Sequence, residues 1–403
     1  MKYSNDEVIQ YIVEEDVKFI RLTFCDVFGK QKNISIMSDE LPRAFKYGIA
    51  IDGSAIAGFG DETHSDLLLH PEAETLMFLP WRPEHGRVVR MFCSISYPDG
   101  RPFECDCRSL LKKAVKTAQE AGCSFFFGAE QEFYLFKLDE NGNPTRKPYD
   151  TAGYMDIAPE DKGENIRREI CLTLEQMGIQ PESSHHEEGP GQNEIDFRYS
   201  DHLTAADNAM TFQTIVKTVA NRNGLYADFR PKPLADKPGS GFHINMSVKS
   251  SDGCDKLYHM IAGILAKVED MTAFLNPTEN SYERFGSDKA PGYISWSHEN
   301  RSQLIRIPAA VGEFRRAELR SPDPSANPYL AFALMIYAGL YGIKNNLELP
   351  EACDFNLYTS DTQTLSKLNQ LPHNLKSACR ISAASDFIKQ YIPAAVLDIY
   401  CNK

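Results

Sequence analysis

Carboxylates or histidines occur in each of four short segments of this 403-residue chain, and arginines surround the carboxylate of the last segment. The segments begin at Gly128, His185, Gly239 and Arg315, and each contains at least one residue that binds hard metal ions. A ligand set of five glutamates and one histidine drawn from these segments favours Mg²⁺ or Mn²⁺ over Zn²⁺, which prefers more cysteine and histidine. The arginines of the last segment are typical partners of phosphate. This combination indicates phosphoryl transfer from a nucleotide at a two-metal site.

The composition indicates a globular protein with two domains. A content of 42% hydrophobic and 25% charged residues is ordinary for a folded chain of this length. A net charge of −13 argues against a nucleic-acid or anionic membrane partner. No apolar run approaches the length of a membrane span, and residues 1–20 lack a signal pattern. Ten cysteines without a CxxC pair predict reduced thiols and a cytoplasmic location.

The first hundred residues form the pattern of a small α/β unit. We predict a helix over Asn5–Glu15 and a β-hairpin from Lys18–Phe24 and Gln31–Ile36. A Gly-rich loop is expected at Asp52–Gly60 and a further strand at Arg87–Tyr97. A turn follows, so we place the domain boundary there and predict an N-terminal domain over residues 1–100.

The remainder, residues 101–403, is predicted to be a catalytic domain in which helices alternate with strands. The predicted helices are Asp106–Gly122, Asp161–Gly178, Thr204–Gly224, Cys254–Leu275 and Pro328–Ile343. Four strands lie between them, and side chains alternate between the two faces of a strand. Their polar faces carry Glu130 with Glu132, Glu194 with Asp196, His243 with Asn245, and Glu318 with Arg320.

Each of these motifs has an ordinary explanation when it is taken alone. A Glu-x-Glu strand is usually the solvent side of an antiparallel sheet. His243 alone is more often a core or surface histidine than a ligand, and arginines commonly pair with surface acids. The recurrence of polar faces on four strands, rather than any single motif, favours a metal site.

Together the motifs resemble those of bacterial glutamine synthetases. The motifs that carry the resemblance are Glu130-Gln-Glu132-Phe, His185-His-Glu187 through Glu194, Lys232-Pro-Leu followed by Gly239-Ser-Gly-Phe-His243, and Asn300-Arg-Ser through Asp323-Pro-Ser-Ala-Asn-Pro-Tyr329. The match covers roughly residues 15 to 345 and is weak after Ile343.

The resemblance implies an α+β fold and a defined activity. The fold would comprise an N-terminal β-grasp domain and a glutamine synthetase/guanido kinase-type catalytic domain, whose curved antiparallel sheet is flanked by helices. The activity would be ATP-dependent ligation of ammonia, or a small amine, to the γ-carboxylate of glutamate through γ-glutamyl phosphate. Homo-oligomerisation into a hexameric ring is implied as well, with stacking into a dodecamer left open.

The resemblance also assigns two divalent ions, Mg²⁺ or Mn²⁺, to each site. The two sets of ligands are Glu132, Glu187 and Glu194 for one ion, and Glu130, His243 and Glu318 for the other. Because several like charges would converge, we expect Glu318→Ala to relieve repulsion in the metal-free protein and to leave the fold intact.

Substrate residues follow from the same resemblance. Those for ATP are Glu182, Arg306 and Arg316, with Arg301 meeting the transferred phosphoryl group. Those for glutamate are Arg284, Arg320 and Gly239, and those lining the ammonium pocket are Tyr154 and Asp52. The resemblance places the loop of Asp52 over the funnel of a neighbouring subunit.

Three departures from the family pattern concern the acceptor. The loop after Arg284 is one residue shorter, and Lys289 stands where the family carries the glutamate that binds ammonium and takes its proton. Ala55 replaces a serine and Pro238 an asparagine. Asp288 is the candidate for the missing catalytic carboxylate.

Several functions therefore stay open. Ammonia is the default acceptor, and a γ-glutamylamide ligase for a larger amine is the alternative. Phosphagen kinases share the catalytic fold, but Glu130, Glu132 and His243 in ligase spacing disfavour that class. A non-catalytic structural or regulatory homologue is disfavoured by the intact ligands at all six metal positions.

Overall fold

The computed structural model of the protein describes residues 3–82, 85–286, 289–310 and 312–402. The chain divides into two compact units, residues 1–110 with 176–178, and residues 111–175 with 179–403. Within the described ranges, no helix is both long enough and apolar enough to cross a membrane.

The first unit is a mixed sheet with two helices. Its elements are α1 (Asn5–Glu14), β1 (Val17–Cys25), β2 (Gln31–Met37), α2 (Leu41–Tyr47), β3 (Ile49–Asp52), β4 (Asp66–Pro71), β5 (Met77–Phe78) and β6 (Arg87–Ser96). The strand order is β2-β1-β6-β4-β3, with β5 paired to β6. Strands β1 and β2 form the predicted antiparallel hairpin, and β1 runs parallel to β6. Ser4 and Glu7 form a capping box that starts α1.

Helices and strands alternate through the rest of the chain, as predicted. These elements are α3 (Cys107–Glu120), β7 (Cys123–Leu138), β8 (Pro144–Pro148), α4 (Glu164–Gln176), β9 (Pro181–His186), β10 (Gln192–Phe197), β11 (Ser200–Asp201), α5 (His202–Arg222), β12 (Leu225–Asp228), β13 (Phe242–Ser250), α6 (Leu257–Leu275), β14 (Trp296–His298), β15 (Ile305–Ile307), β16 (Ala317–Leu319), α7 (Pro328–Lys344), α8 (Thr362–Leu365), α9 (Leu375–Ala384), α10 (Asp386–Tyr391) and α11 (Ala394–Cys401). Helix α4 begins at Glu164 rather than Asp161. The Asp161 carboxylate lies ahead of the helix, where it accepts hydrogen bonds from the Gly163 N–H and from the Arg167 side chain of α4.

The second unit is organised around the long strand β7. Its sheet has the order β14-β15-β16-β13-β7-β10-β9, and β8, β11 and β12 also pair with β7. The pairings of β7 are antiparallel, whereas β14 and β15 are parallel, so the predicted antiparallel sheet has one parallel edge. Strand β7 therefore sets the positions of both neighbouring strands that carry predicted ligands.

Helices α6 and α7 support the apolar side of this sheet. Phe332 of α7 stacks on Phe127 of β7, with ring centroids 4.4 Å apart, and lies 6.2 Å from the ring of Phe242 in β13. The two helices touch through their backbones, since a Cβ on Gly263 would lie 2.6 Å from the amide nitrogen of Gly342. The strands that carry Glu130 and His243 thus rest on a closely packed layer.

The region after Ile343 continues this packing. Ala378 and Cys379 of α9 pack against Ala273 of α6, and the ring of Tyr391 in α10 stacks on Tyr337 of α7 at 3.8 Å. The C-terminal helices are therefore part of the second unit, although their sequence gives only a weak motif signal.

Candidate active site

The register of the central strands places the predicted ligands beside one another. His243 on β13 is directly opposite Glu130 on β7, and Glu194 on β10 is directly opposite Glu132. Glu318 on β16 is opposite Asn245 of β13, two positions along from His243. Because partners in adjacent strands share a face, five of the six predicted ligands point to one side of the sheet.

Glu130, His243 and Glu318 form a group whose ligand atoms lie within 4.8 Å of one another. His243 Nδ1 is 3.5 Å from Glu130 Oε2 and 3.7 Å from Glu318 Oε1. The Asn245 side-chain amide donates a 2.6 Å hydrogen bond to Glu130 Oε1 and fixes that carboxylate. The structure therefore brings together the three residues that the sequence assigns to one ion, while their role as ligands remains a prediction.

The other predicted set is distributed over two overlapping groups. Glu132 and Glu194 lie with His243 in one group, and Glu187 and Glu194 lie with His185 in the next. The Gln192 side chain and the Gly241 N–H donate to Glu132 Oε2 at 2.9 and 3.0 Å. Glu194 thus links Glu132 to Glu187, which lies just beyond the end of β9.

The charge state of this cluster fits a divalent cation. Burial, and then the charge of Glu187, raises the pKa of Glu132 to about 7. Burial, and then Asp196, raises the pKa of Glu194 well above its ordinary value. Burial, and then Arg320, lowers the pKa of His243 to about 3, so its imidazole is neutral and has a free lone pair.

One buried oxygen in the cluster also lacks a partner. Asp196 Oδ1 has no hydrogen-bond partner among the described residues. Burial, and then Glu130, raises the pKa of Asp196 to about 6. Repelling carboxylates, a neutral imidazole and an unsatisfied oxygen are together stabilised by a bound cation, and oxygen-rich sets of this kind suit Mg²⁺ or Mn²⁺.

The surroundings of Glu318 favour the opposite of the expectation that its loss leaves the fold intact. This buried carboxylate accepts a 2.5 Å hydrogen bond from Arg306 and also pairs with Arg320. Arg320 itself is only 2% exposed. Removing Glu318 would leave a buried guanidinium without its counter-charge, which is strongly destabilising.

A cavity of about 1190 Å³ opens over these residues. Its walls include five of the six predicted metal ligands, all but the buried Glu318, together with Arg284, Arg301, Arg306, Arg316 and Arg320. This volume accommodates more than one small substrate. Arginines and carboxylates therefore line the same cavity, a combination that suits the binding of a metal–phosphate group.

The residues predicted for glutamate lie in this cavity. Arg284 is almost fully buried, and its Nη1 donates a 3.1 Å hydrogen bond to the Ser321 carbonyl. Gly239 packs so tightly that a Cβ there would lie 2.6 Å from the Pro231 carbonyl oxygen. A side chain larger than hydrogen would displace the backbone at this point.

A second cavity of about 530 Å³ contains Glu182. It shares Glu130, Asp196 and Arg316 with the first cavity, and Phe314 contributes an aromatic wall. The Arg316 Nε–H donates to Asn245 Oδ1 at 2.8 Å, which orients the guanidinium between the two cavities. The three residues predicted for ATP therefore line two adjoining cavities, with Arg306 in the first.

The residues predicted for the acceptor, Tyr154 and Lys289, lie on loops rather than strands. The ring of Tyr154 contacts His185 edge-on, with centroids 5.4 Å apart, and His185 Nε2 is 3.0 Å from Glu187 Oε1. Lys289 forms an ion pair with Glu188 of the turn after β9. The lysine that replaces the expected glutamate therefore faces the cavity instead of bulk solvent alone.

Two predicted catalytic residues, Asp52 and Asp288, are not among the described residues that line this cavity. Asp52 belongs to the first unit, where its carboxylate accepts hydrogen bonds from the backbone and hydroxyl of Ser54 at 2.9 and 2.7 Å. These hydrogen bonds lower the pKa of Asp52. Asp288 lies outside the described residues, so its predicted role stays a prediction.

A buried polar network lies behind Glu187. His186 Nε2 is 2.9 Å from Asp150 Oδ1, and its Nδ1 is 2.7 Å from the Glu187 carbonyl oxygen. Burial opposes protonation, but the hydrogen bond to Asp150 prevails and raises the pKa of His186. Asp150 and His186 also lie within metal-binding distance of Asp161, yet Asp161 already pairs with the Arg167 guanidinium. We therefore interpret this network as a support for Glu187.

Sequence reasoning left three contacting residues without a role. Gln192 holds Glu132, His185 contacts Glu187, and Glu188 pairs with Lys289. Gln192 alternates with Glu194 along β10, so the period-two rule that identified the ligands could also have identified it. Glu188 gives no such signal, because it lies in a turn and its partner is 101 residues away.

Comparison with protein families identifies the class to which this fold and cavity belong. The glutamine synthetase catalytic-domain family matches residues 104–403, and the glutamine synthetase β-grasp domain family matches residues 16–98. The chain belongs to the glutamine synthetase family. The match reaches residue 403 and so extends well beyond the region around residue 345 at which the sequence resemblance weakens.

Individual relatives cover nearly the whole chain. It is 45% identical over 404 residues to a glutamine synthetase of Clostridium saccharobutylicum, covering 96% of this chain and 91% of that protein. It is 44% identical over 417 residues to a glutamine synthetase of Methanosarcina mazei, covering 99% and 93%. A solved structure of a GmaS–ADP complex superposes with a TM-score of 0.89 at 28% identity, covering 98% of this chain and 94% of that one.

Proposed function

We propose that the protein is an ATP-dependent ligase that joins ammonia to the γ-carboxylate of glutamate. The observation that carries the proposal is the meeting of carboxylates, one neutral imidazole and several arginines in a single cavity. Identities of 45% and 44% to curated glutamine synthetases support it over nearly the full chain. The ADP in the GmaS complex supports a nucleotide site in this fold.

The chemistry explains why such a cavity is needed. A carboxylate is a poor electrophile, so amide formation at neutral pH requires an activated acyl group. Transfer of the γ-phosphoryl group of ATP to the γ-carboxylate oxygen gives γ-glutamyl phosphate and ADP. Attack by the amine nitrogen on the carbonyl carbon then expels phosphate, and the nitrogen loses a proton. Water must be kept away from the acyl phosphate in between.

For metal binding we propose two sets of chain residues. They are Glu130, His243 and Glu318 for one ion, and Glu132, Glu187 and Glu194 for the other. Bound Mg²⁺ or Mn²⁺ would neutralise charge on the phosphoryl oxygens. The chain prepares the ligands: Asn245 orients Glu130, while Gln192 and the Gly241 N–H orient Glu132.

The arginines take complementary parts in this proposal. Arg306 and Arg316 would hold the ATP phosphates, Glu182 would contact the nucleotide, and Arg301 would meet the phosphoryl group in transfer. Arg284 and Arg320 would clamp the glutamate, with Gly239 near its amino end. Because Arg320 is paired with Glu318, the same ion pair connects the glutamate clamp to the metal site.

A γ-glutamylamide ligase for a larger amine is the second candidate. It is favoured by one observation, the position of Lys289 at the acceptor end where a carboxylate was expected. Initial rates with ammonium, methylamine, ethanolamine and putrescine separate the two candidates. A preference for a larger amine, expressed as kcat/KM, would overturn the ammonia assignment while leaving the ligase chemistry standing.

The assay that tests the proposal measures phosphate release and amide formation together. We expect both products only when glutamate, ATP, an amine and Mg²⁺ or Mn²⁺ are present, and neither product from the Arg301→Ala variant. Phosphate release that is independent of glutamate, or no turnover with any of the amines, would refute a glutamate ligase.

We also propose a hexameric ring in which Asp52 serves the site of a neighbouring subunit. Phe19 and Met37 face each other across the β1–β2 hairpin and are 44% and 49% exposed, which supports an apolar interface on the first unit. Light scattering gives the subunit number. Mixed rings of inactive Asp52→Ala and inactive Arg301→Ala subunits should regain activity, and mixed rings that stay inactive would argue for sites within single chains.

Two coarser proposals complete this assignment. We propose a domain division near residue 100, with the catalytic domain over residues 101–403. We propose a cytoplasmic location as well, supported by ten cysteines that are all unpaired in the described part of the chain.

A further inference from the structure

Lys289 meets two groups from distant parts of the chain at the acceptor end of the cavity. Its Nζ pairs with Glu188 Oε1, and the same nitrogen lies 5.1 Å from the centroid of the Tyr154 ring. A carboxylate combined with the face of an aromatic ring is an effective recognition pair for an ammonium group. The protein therefore holds its own primary ammonium group in an ammonium-binding arrangement.

The recognition pair is attached to the framework that positions Glu187. The Glu188 backbone N–H donates to Glu187 Oε2 at 3.0 Å, in the turn between β9 and β10. The Met155 N–H donates to the His186 carbonyl at 2.9 Å and anchors the loop that carries Tyr154. The backbone of Glu188 and the backbone next to Tyr154 are thus held beside a predicted metal ligand by hydrogen bonds that do not involve Lys289.

We propose that Glu188 supplies the carboxylate of the acceptor site that the resemblance already places at Tyr154, for ammonium or a primary alkylammonium ion. Lys289 fills this site until the acceptor arrives, so the lysine is an internal competitor. The inference rests on the proposed function, because it assigns the acceptor subsite of the same cavity. It also gives a role to the carboxylate of Glu188, which stands opposite the lysine that departs from the family pattern.

The pair is suited to exchange. The Lys289 side chain is 42% exposed and that of Glu188 is 37% exposed, and partly exposed ion pairs contribute little stability. A small cation at a concentration above its dissociation constant therefore displaces the lysine at low cost. The backbone of Lys289 stays in place meanwhile, because its carbonyl oxygen accepts a 3.5 Å hydrogen bond from Arg320 Nη2.

A purely structural ion pair predicts the opposite response to mutation. If the contact between Lys289 and Glu188 only held its loop in place, loss of either side chain would weaken activity with every acceptor. If Lys289 competes with the acceptor, removing it should strengthen acceptor binding, whereas removing Glu188 should weaken it. The sign of the change for Lys289 separates the two explanations.

The test compares Lys289→Met, Glu188→Gln and the double variant in steady-state kinetics. We expect Lys289→Met to lower the KM for ammonium by roughly two- to fivefold and Glu188→Gln to raise it by a similar factor. In the double variant the KM should equal that of Glu188→Gln, because the competitor no longer has a site to block. The KM for glutamate serves as an internal reference that should stay constant.

Two controls sharpen the result. Lys376→Met removes an exposed lysine from α9 and should leave every constant unchanged. Hydroxylamine is uncharged at neutral pH, so its KM should not respond to Glu188→Gln. An unchanged or raised KM for ammonium in Lys289→Met, or equal responses to ammonium and hydroxylamine in Glu188→Gln, would overturn the inference.

The outcome for the wild-type protein keeps this inference separate from the proposed function. Turnover of glutamate and ATP with any amine establishes the ligase, whatever the variants do. An active wild type whose variants fail to shift the KM for ammonium refutes the acceptor site alone. An inactive wild type refutes the proposed function and the acceptor site together.

Discussion

The predicted metal ligands and the predicted acceptor residues of the same cavity are positioned in different ways. Glu130, Glu132 and His243 lie on paired strands whose apolar faces are packed against helices. Glu188 and Lys289 lie on loops, and their ion pair is partly exposed. Strand register holds the ligand atoms of the first group close enough together for one ion, whereas the positions of Glu188 and Lys289 depend on a few hydrogen bonds.

This difference matches two separate requirements, phosphoryl transfer and the choice of the acceptor amine. Phosphoryl transfer needs charges held at fixed separations, and a sheet supplies them because neighbouring strands are spaced by backbone hydrogen bonds. Choice of an amine needs only one or two side chains at the cavity mouth, and loops tolerate substitution there. The chain accordingly retains the expected ligands on its strands and departs from the family pattern chiefly near the acceptor.

The largest effects should follow from losing carboxylates on the sheet. Glu194→Gln and Glu318→Ala should each reduce turnover by roughly 100- to 1000-fold or more, because both remove a proposed metal ligand. Their effects on stability should differ. Glu194→Gln removes a repelled charge and should leave the melting temperature of the metal-free protein unchanged or higher.

Glu318→Ala should destabilise the same metal-free protein by about 3–5 kcal/mol, since Arg320 loses its buried partner. Calorimetry of both variants without metal tests the pair of predictions. Equal losses of stability would show that the two carboxylates are not in different electrostatic surroundings.

The pH dependence of metal binding should reflect the raised pKa of Glu132. Below a pKa of about 7, the metal-free protein carries a proton on Glu132 that a cation must displace. The affinity for Mn²⁺ should therefore fall by about tenfold per pH unit and per displaced proton between pH 7 and pH 5. Titration calorimetry in buffers of different ionisation enthalpy counts the protons released.

The stability of the metal-free protein should rise as the pH falls, whereas the affinity for Mn²⁺ falls. Because the folded pKa of Glu132 lies above its ordinary value, the folded state binds more protons than the unfolded state between these values. Its contribution should therefore stabilise the fold as the pH falls from 8 to 5, by about 3 kcal/mol at most. An Mn²⁺ affinity that is independent of pH would contradict both statements.

An intermediate effect is expected for the network that supports Glu187. Asp150→Asn keeps the size of the side chain but removes the charge that faces His186. We expect the affinity for Mn²⁺ to fall by about tenfold, in line with changes to residues that orient metal ligands. The affinity of the Asp150→Ala variant for Mn²⁺ should fall further. A variant that loses thermal stability but keeps its metal affinity would indicate a purely structural network.

The smallest effect should come from the aromatic ring at the acceptor end. Tyr154→Leu should raise the KM for ammonium by roughly two- to fivefold, because the ring contributes a cation–π contact of modest energy. Tyr154→Phe keeps the ring and should resemble the wild type. If the two variants behaved alike, the hydroxyl or the volume of the residue would be responsible instead of the π face.

Side-chain alternation was enough to predict which residues share a face of the sheet. It placed Glu130 with Glu132 and Glu194 with Asp196 on common faces, and the structure has both arrangements. The helices were also predictable from their apolar periodicity, apart from starts such as that of α4, where Asp161 is engaged by Arg167 instead of entering the helix. These features depend on residues close together in the sequence.

Contacts between distant side chains could not be predicted in the same way. The pairing of Glu318 with Arg306 depends on which rotamers the two short strands β15 and β16 present to each other. The contact between Glu188 and Lys289 joins two loops that have no periodic pattern. The parallel pairing of β14 and β15 involves strands of only three residues, which are too short to give a pattern.

The central position of β7 has a consequence for how the protein is made on the ribosome. Its ligand-bearing partners follow it by long stretches of chain, and β16 with Glu318 is the last of them. The contact order of this sheet is therefore high, and such topologies fold slowly. Strands β1 to β6, by contrast, all precede β7, so the first unit can form while the second is still being translated. A nascent chain holds Glu130 and Glu132 long before His243 and Glu318 exist to complete a metal site.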